Sequence, residues 1–120
     1  IRLDPKDAAT WNSRCWERAI LGQLDQALAD CEESLRLKPD AAYTLDSRGL
    51  VHLKAGRFDA ALADYEAALK LDPEMVGALY GRGIARLRKG DKEGGEADIA
   101  TAIKLQADIA REMAKYGVTP

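Results

Sequence analysis

An all-α array of antiparallel helix pairs is the fold class this sequence predicts, and three observations support it. Pro5, Pro39 and Pro73 stand 34 residues apart, each closing a Leu-x-Pro triplet, and Gly22, Gly56 and Gly90 keep the same spacing. Ala27, Ala61 and Gly95 follow that period too, as do Leu35, Leu69 and Ile103. Self-similarity at a fixed period of this size marks a chain built by stacking one supersecondary unit. The composition agrees: Ala and Leu are plentiful and aromatic residues make up only 6% of the 120 residues, which favours helix over strand.

The elements follow from the punctuation within each unit. Gly22, Gly56 and Gly90 each separate two helical stretches, because glycine adopts the left-handed conformation that ends a helix. Asp25, Asp59 and Glu93 then fall in the first turn of the second helix, where negative charge suits the positive end of the dipole. The prolines close that helix, and Asp7 and Asp40 are placed to cap the helices that follow. The resulting helices span 7–21, 24–38, 41–55, 58–71, 75–89, 92–106 and 108–116.

Grouped into units, residues 7–40, 41–74 and 75–107 form three repeats, the third degenerate. Lys92 stands there in the column of Leu24 and Phe58, Gly95 in the alanine column, and Ala107 in place of the proline. Residues 108–120 form a C-terminal capping helix and tail. Ile109, Met113 and Tyr116 make one apolar stripe on it, with Arg111, Glu112 and Lys115 outside the stripe. This helix is expected to cover the open end of the last pair; a partner-binding amphipathic helix is the alternative. Residues 1–6, "IRLDPK", read as the tail of a truncated preceding repeat, so any N-terminal address is lost with it and the compartment is unknown.

The repeat resembles the tetratricopeptide repeat family in its bacterial style. The resemblance rests on Trp11, Gly22, Leu24, Ala27, Leu35 and Pro39 in the first unit. In the second it rests on Leu45, Gly49, Gly56, Phe58, Ala61, Tyr65, Ala68 and Pro73. Leu79, Gly83, Gly90, Ala102 and Ile103 carry it in the third. It covers nearly the whole chain. It implies a right-handed α-solenoid in which the first helix of each pair lines a concave groove.

Three arginines, Arg14, Arg48 and Arg82, recur at the repeat period, and each has an aspartate 16 residues on: Asp30, Asp64 and Asp98. Residues equidistant from the turn of an antiparallel helix pair face one another, so these columns predict a ladder of structural ion pairs. A planar guanidinium can hold a carboxylate through two bonds and so set helix register. The competing view, that the arginines form an anion site, is weaker because each has a matched acid. His52, the one histidine, falls in the column of Arg18 and Arg86 and reads as a packing residue on a first helix. Cys15 and Cys31 also face each other across a turn. They read either as two small buried apolar residues or, in an oxidising compartment, as a disulfide.

Little points to chemistry. No nucleophile–base constellation, metal-ligand spacing or phosphate loop is present, so the chain is read as not an enzyme, with no cofactor. A net charge of −2 gives no reason to expect nucleic acid, and no apolar run approaches membrane-spanning length.

The groove face that the resemblance implies holds Asn12, Ser13, Trp16 and Ile20 in unit one. In unit two it holds Tyr43, Asp46, Ser47, Leu50, Leu53 and Lys54. Tyr80, Gly81, Ile84, Leu87 and Arg88 belong to it in unit three. An apolar strip flanking a tryptophan has the composition of a contact surface. The expected function is therefore a protein–protein interaction module that binds a peptide or helix in this partly apolar groove. The alternative is a structural assembly unit, self-associating through its solenoid ends or stacking in a longer repeat array. Some family members clamp the C-terminal carboxylate of chaperone tails with Lys, Asn and Arg. The matching columns here hold Asn12, Trp16, Ser47, Gly77 and Gly81, so that ligand is not expected. Gly77 and Gly81 are read as room for a ligand backbone or as relaxed positions near the array's end.

Overall fold

The computed structural model of this chain describes residues 6–120. Pro5, and the truncated-repeat tail apart from Lys6, lie outside the described residues. Seven helices follow one another: α1 (Ala8–Ile20), α2 (Leu24–Leu37), α3 (Ala42–Lys54), α4 (Phe58–Leu71), α5 (Val76–Arg88), α6 (Lys92–Leu105) and α7 (Ile109–Lys115). Every boundary falls within one residue of the sequence expectation, and there is no strand among the described residues.

The glycine column acts as the turn chemistry requires. Gly22, Gly56 and Gly90 have φ of 82°, 79° and 91°. In each case the glycine and the residue after it donate back to carbonyls of the helix's last turn, as in the bond from Gln23 N to the Arg18 oxygen at 2.8 Å. This double bond pattern satisfies carbonyls that the helix end would otherwise leave open. Asp7 caps α1 by accepting from the Ala9 amide at 3.0 Å. Asp40 does not cap α3. The cap position is taken by Ala41, which is fully buried and offers no side-chain acceptor.

Helices α3 and α5 each pack on their own second helix, on the next odd-numbered helix and on the second helix of the preceding unit, and α1 makes the first two of these contacts. Repetition of those three contacts makes an all-α solenoid of helix pairs. Within the pairs, one contact has three different solutions. In unit one, Cys15 and Cys31 are both fully buried and are joined by a disulfide, with their Cα atoms 5.4 Å apart. In unit two the same columns hold Gly49 and Tyr65. A methyl group added to Gly49 would lie 2.8 Å from the tyrosine ring, so the glycine lets the ring lie flat against the helix backbone. In unit three, Gly83 and Ile99 meet in the same way.

The junction between units one and two is polar and buried. The Ser34 hydroxyl donates to the Ala8 carbonyl at 2.7 Å and lies 2.9 Å from the Thr44 hydroxyl. At the next junction the matching residues are Ala68 and Ala78, both fully buried. The capping helix α7 touches both helices of the last pair, α5 and α6. It also reaches further than the end of the array: Tyr116, at its C-terminus, meets Trp16 of α1 edge-on, with ring centroids 5.3 Å apart.

Candidate functional site

The arginine and aspartate columns meet on the faces joining paired helices. Arg14 donates from Nε and Nη2 to the two carboxylate oxygens of Asp30 at 2.8 and 2.7 Å. Arg48 holds Asp64 at 2.8 Å through both bonds, and Arg82 holds Asp98 at 2.9 Å through both. The aspartates are buried, and bonding to them raises the pKa of Arg14, Arg48 and Arg82 above the ordinary guanidinium value.

The column of Arg18, His52 and Arg86 supplies a second basic group to the same carboxylates. Arg18 reaches Asp30 at 3.0 Å and Arg86 reaches Asp98 at 2.8 Å. His52 is thus more than a packing residue, although its Nε2 stays 3.6 Å from Asp64. Its Nδ1 accepts from Arg57, and burial, opposed by Asp64 but aided by Arg57 and Arg48, lowers its pKa. These side chains are committed to one another and leave no open anion site.

Two clefts gather residues of the expected groove face. The first, of about 440 Å³, lies between α1 and α3 and brings together Asn12, Ser13, Trp16, Glu17, Tyr43, Asp46 and Ser47. Helical spacing puts Asn12, Ser13, Trp16 and Glu17 on one face of α1, with Tyr43, Asp46 and Ser47 opposite on α3. Glu17 is absent from the sequence expectation. The signal that could have found it is its position four residues after Ser13, on the same stripe.

The second cleft, of about 290 Å³, is lined by Leu53, Lys54, Gly56, Phe58, Ile84 and Arg88, together with Gly117, Val118 and Thr119 of the chain's own C-terminal tail. Gly117, with φ of 81°, ends α7 with the same bond pattern as the other glycines and turns the chain so that Val118 is buried. Arg88 donates to the Thr119 carbonyl at 3.2 Å.

Several expected groove residues are buried or held by contacts within the chain, including some that border the second cleft. Leu50 and Tyr80 are 1% exposed and Ile84 2%, so they are core residues; Ile84 lies beside the tail. Leu53 is also buried. Leu87 packs against Gly95 across the α5–α6 pair, where an added methyl on the glycine would strike its side chain at 2.7 Å. Lys54 gives its ammonium to the Ala19 and Ile20 carbonyls at 2.9 and 3.3 Å, capping the end of α1. Ile20 is half-buried and lines neither cleft. Gly81 leaves no room for a ligand backbone, because the Tyr65 ring fills the space where its side chain would be. Gly77 faces the Asp46 carboxylate.

Asp46 is electrostatically unusual. It forms no hydrogen bond or ion pair among the described residues, and burial pushes its pKa up to about 7. Tyr65 is buried behind it with its hydroxyl unpartnered, and burial, then Asp46 and Asp64, push its pKa well above the ordinary phenol value. The buried Oδ1 of Asn12 is likewise without a partner. Among the described residues no cluster of His, Cys, Asp and Glu is arranged to hold a metal ion, and no helix is long and apolar enough to cross a membrane.

Paired helices, a repeated turn and a concave face define a helical-repeat protein. The profile of the family described as tetratricopeptide repeat matches residues 47–111, and the chain belongs to that family. No curated protein sequence matches the chain. Among solved structures it resembles the first TPR of Spaghetti (RPAP3) bound to the HSP90 peptide SRMEEVD. The TM-score is 0.80 and the identity 19%, over 98% of this chain and 95% of that one. The first TPR domain of human RPAP3, solved by NMR, has the same TM-score and identity over 95% and 92% of the two chains. YrrB, described as a TPR protein with an unusual peptide-binding site, matches with a TM-score of 0.75 and 20% identity, over 93% of this chain and 58% of that one. At these identities the likeness is one of fold.

Proposed function

We propose that this chain is a non-catalytic interaction module that binds a peptide or helix along its concave face, with the α1–α3 cleft as the principal contact. The observation that supports this reading most directly is the cleft itself: Trp16 and Tyr43 converge there with Asn12 and Asp46. A concave site with aromatic walls and a few polar groups is the composition of a recognition pocket. Fold neighbours solved with a bound peptide support the same class of partner. A chaperone-tail carboxylate is not the ligand in this reading, since Asn12, Trp16, Ser47, Gly77 and Gly81 stand in the columns where a clamp would need its Lys, Asn and Arg.

The test is selection of a displayed peptide library on the wild-type protein, followed by titration of the enriched peptides against Trp16→Ala and Tyr43→Ala. Both variants are expected to lose at least about tenfold in affinity while keeping wild-type helicity. Enriched peptides that bind both variants as well as the wild type would remove the α1–α3 cleft from the function.

A further inference from the structure

The polar groups lining the α1–α3 cleft are biased towards one kind of partner. Asp46 and Glu17 bring two carboxylates, and neither forms a hydrogen bond or an ion pair among the described residues. The Asn12 Oδ1 is a buried acceptor without a donor. The exposed Ser13 hydroxyl already donates to the Ala9 carbonyl at 3.0 Å, so it presents lone pairs to anything entering, whereas the Ser47 hydroxyl, bonded to the Tyr43 carbonyl at 3.0 Å, is buried. No lysine, arginine or histidine lines the cleft. Just outside it, Lys38 holds its ammonium 5.8 Å from the centre of the Tyr43 ring, which shows that this aromatic face accepts a cation.

Resting on the groove reading above, we infer that the α1–α3 cleft recognises a basic side chain, the ammonium of lysine or the guanidinium of arginine, in an extended or helical peptide. The half-buried Asp46 carboxylate and the exposed Glu17 neutralise the charge, and the faces of Trp16 and Tyr43 receive the aliphatic stem and the cation. An acidic peptide end would meet the repulsion of two carboxylates here, with only neutral donors to set against it. Leaving a carboxylate unpaired and partly desolvated is unfavourable for the free protein. A cationic ligand relieves that condition, so recognition gains what the empty site lacks.

The experiment compares matched short peptides of alanine and leucine that differ only at one central residue, Lys, Arg, Gln or Glu, titrated by calorimetry against the folded chain. The Lys and Arg peptides are expected to bind at least about tenfold tighter than the Gln peptide, with Glu weakest. The preference is expected to collapse towards unity in Asp46→Asn, to shrink in Glu17→Gln, and to weaken with added salt. Thermal melts of both variants establish that they remain folded. Equal binding of the Lys, Gln and Glu peptides, or tightest binding of Glu, overturns the cationic inference. The groove reading survives that result if Trp16→Ala still abolishes binding. Failure of every peptide to bind at about 1 mM, an affinity too weak for recognition, counts against both.

Discussion

Tyr116 and Trp16 stand 100 residues apart in the chain and meet edge-on with ring centroids 5.3 Å apart, linking the last helix to the first. The tail beyond Tyr116 runs past Lys54 and Arg88 and forms one wall of the second cleft. Tyr116→Ala removes this ring pair along with its packing and is expected to lower stability by about 1–2 kcal/mol. Trp16 should then report greater exposure as a red shift in emission. An unchanged melting curve together with unchanged emission would show that the contact contributes nothing.

The ladder of ion pairs predicts an order of sensitivity. Arg14→Ala leaves Asp30 with Arg18 at 3.0 Å, and Arg82→Ala leaves Asp98 with Arg86 at 2.8 Å. Arg48→Ala leaves Asp64 with only His52, which is 3.6 Å away and whose burial disfavours its charged form. Removing one partner of a buried pair costs about 3–5 kcal/mol when the other charge is stranded. Arg48→Ala should therefore be the most destabilising of the three in urea denaturation, with the outer two costing roughly 1–2 kcal/mol. An inverted order would mean that the second column does not support these carboxylates.

The Asp46 carboxyl makes stability depend on pH with a definite sign. Its folded-state pKa, pushed up to about 7 by burial, lies above the ordinary aspartate value of 3.8, so the fold disfavours the charged form. That penalty is absent below about pH 4, grows as the pH rises to about 7, and is complete above that. Asp46→Asn should match the wild type near pH 4 and exceed it in stability by about 2 kcal/mol near pH 8, less than the full shift implies because solvent screens the half-exposed carboxyl. Melting curves at the two pH values are the measurement. A variant less stable than wild type at pH 8 would show that the carboxylate has a partner in the folded chain.

The disulfide closes a short loop around the first turn, with Cys15 and Cys31 16 residues apart. Constraint of the unfolded chain by a loop of this length is worth about 3 kcal/mol. The oxidised protein should give no reaction with a thiol reagent in denaturant, and reduction should lower its urea midpoint accordingly. Cys15→Ala with Cys31→Ala should reproduce the reduced midpoint. Free thiols in the purified, unreduced protein would show the pair to be merely packed.

The repeat was legible because its signals are local. A glycine that must adopt positive φ, a proline that ends a helix and acids in a helix's first turn are set by neighbours a few residues away, so every helix boundary follows to within a residue. The pairing of Arg48 with Asp64 was also legible, since symmetry about a turn is arithmetic on sequence positions. The groove was less so. Leu50, Tyr80 and Ile84 share their face of the repeat with Trp16, yet they are buried and it is not.

What separates them is tertiary. The amphipathic stripe of α7 was visible in the sequence, but periodicity states only that one face must be covered, not which surface covers it. Only the three-dimensional path of residues 109–119 brings Gly117, Val118 and Thr119 into the lining of the second cleft, while the first is lined by α1 and α3 alone. The unpaired state of Asp46 is likewise a property of the packed molecule, because a carboxylate lacks a partner only once every neighbour has been placed. Sequence alone determined the repeat, the register and the class of protein; long-range packing decided where a ligand can still enter.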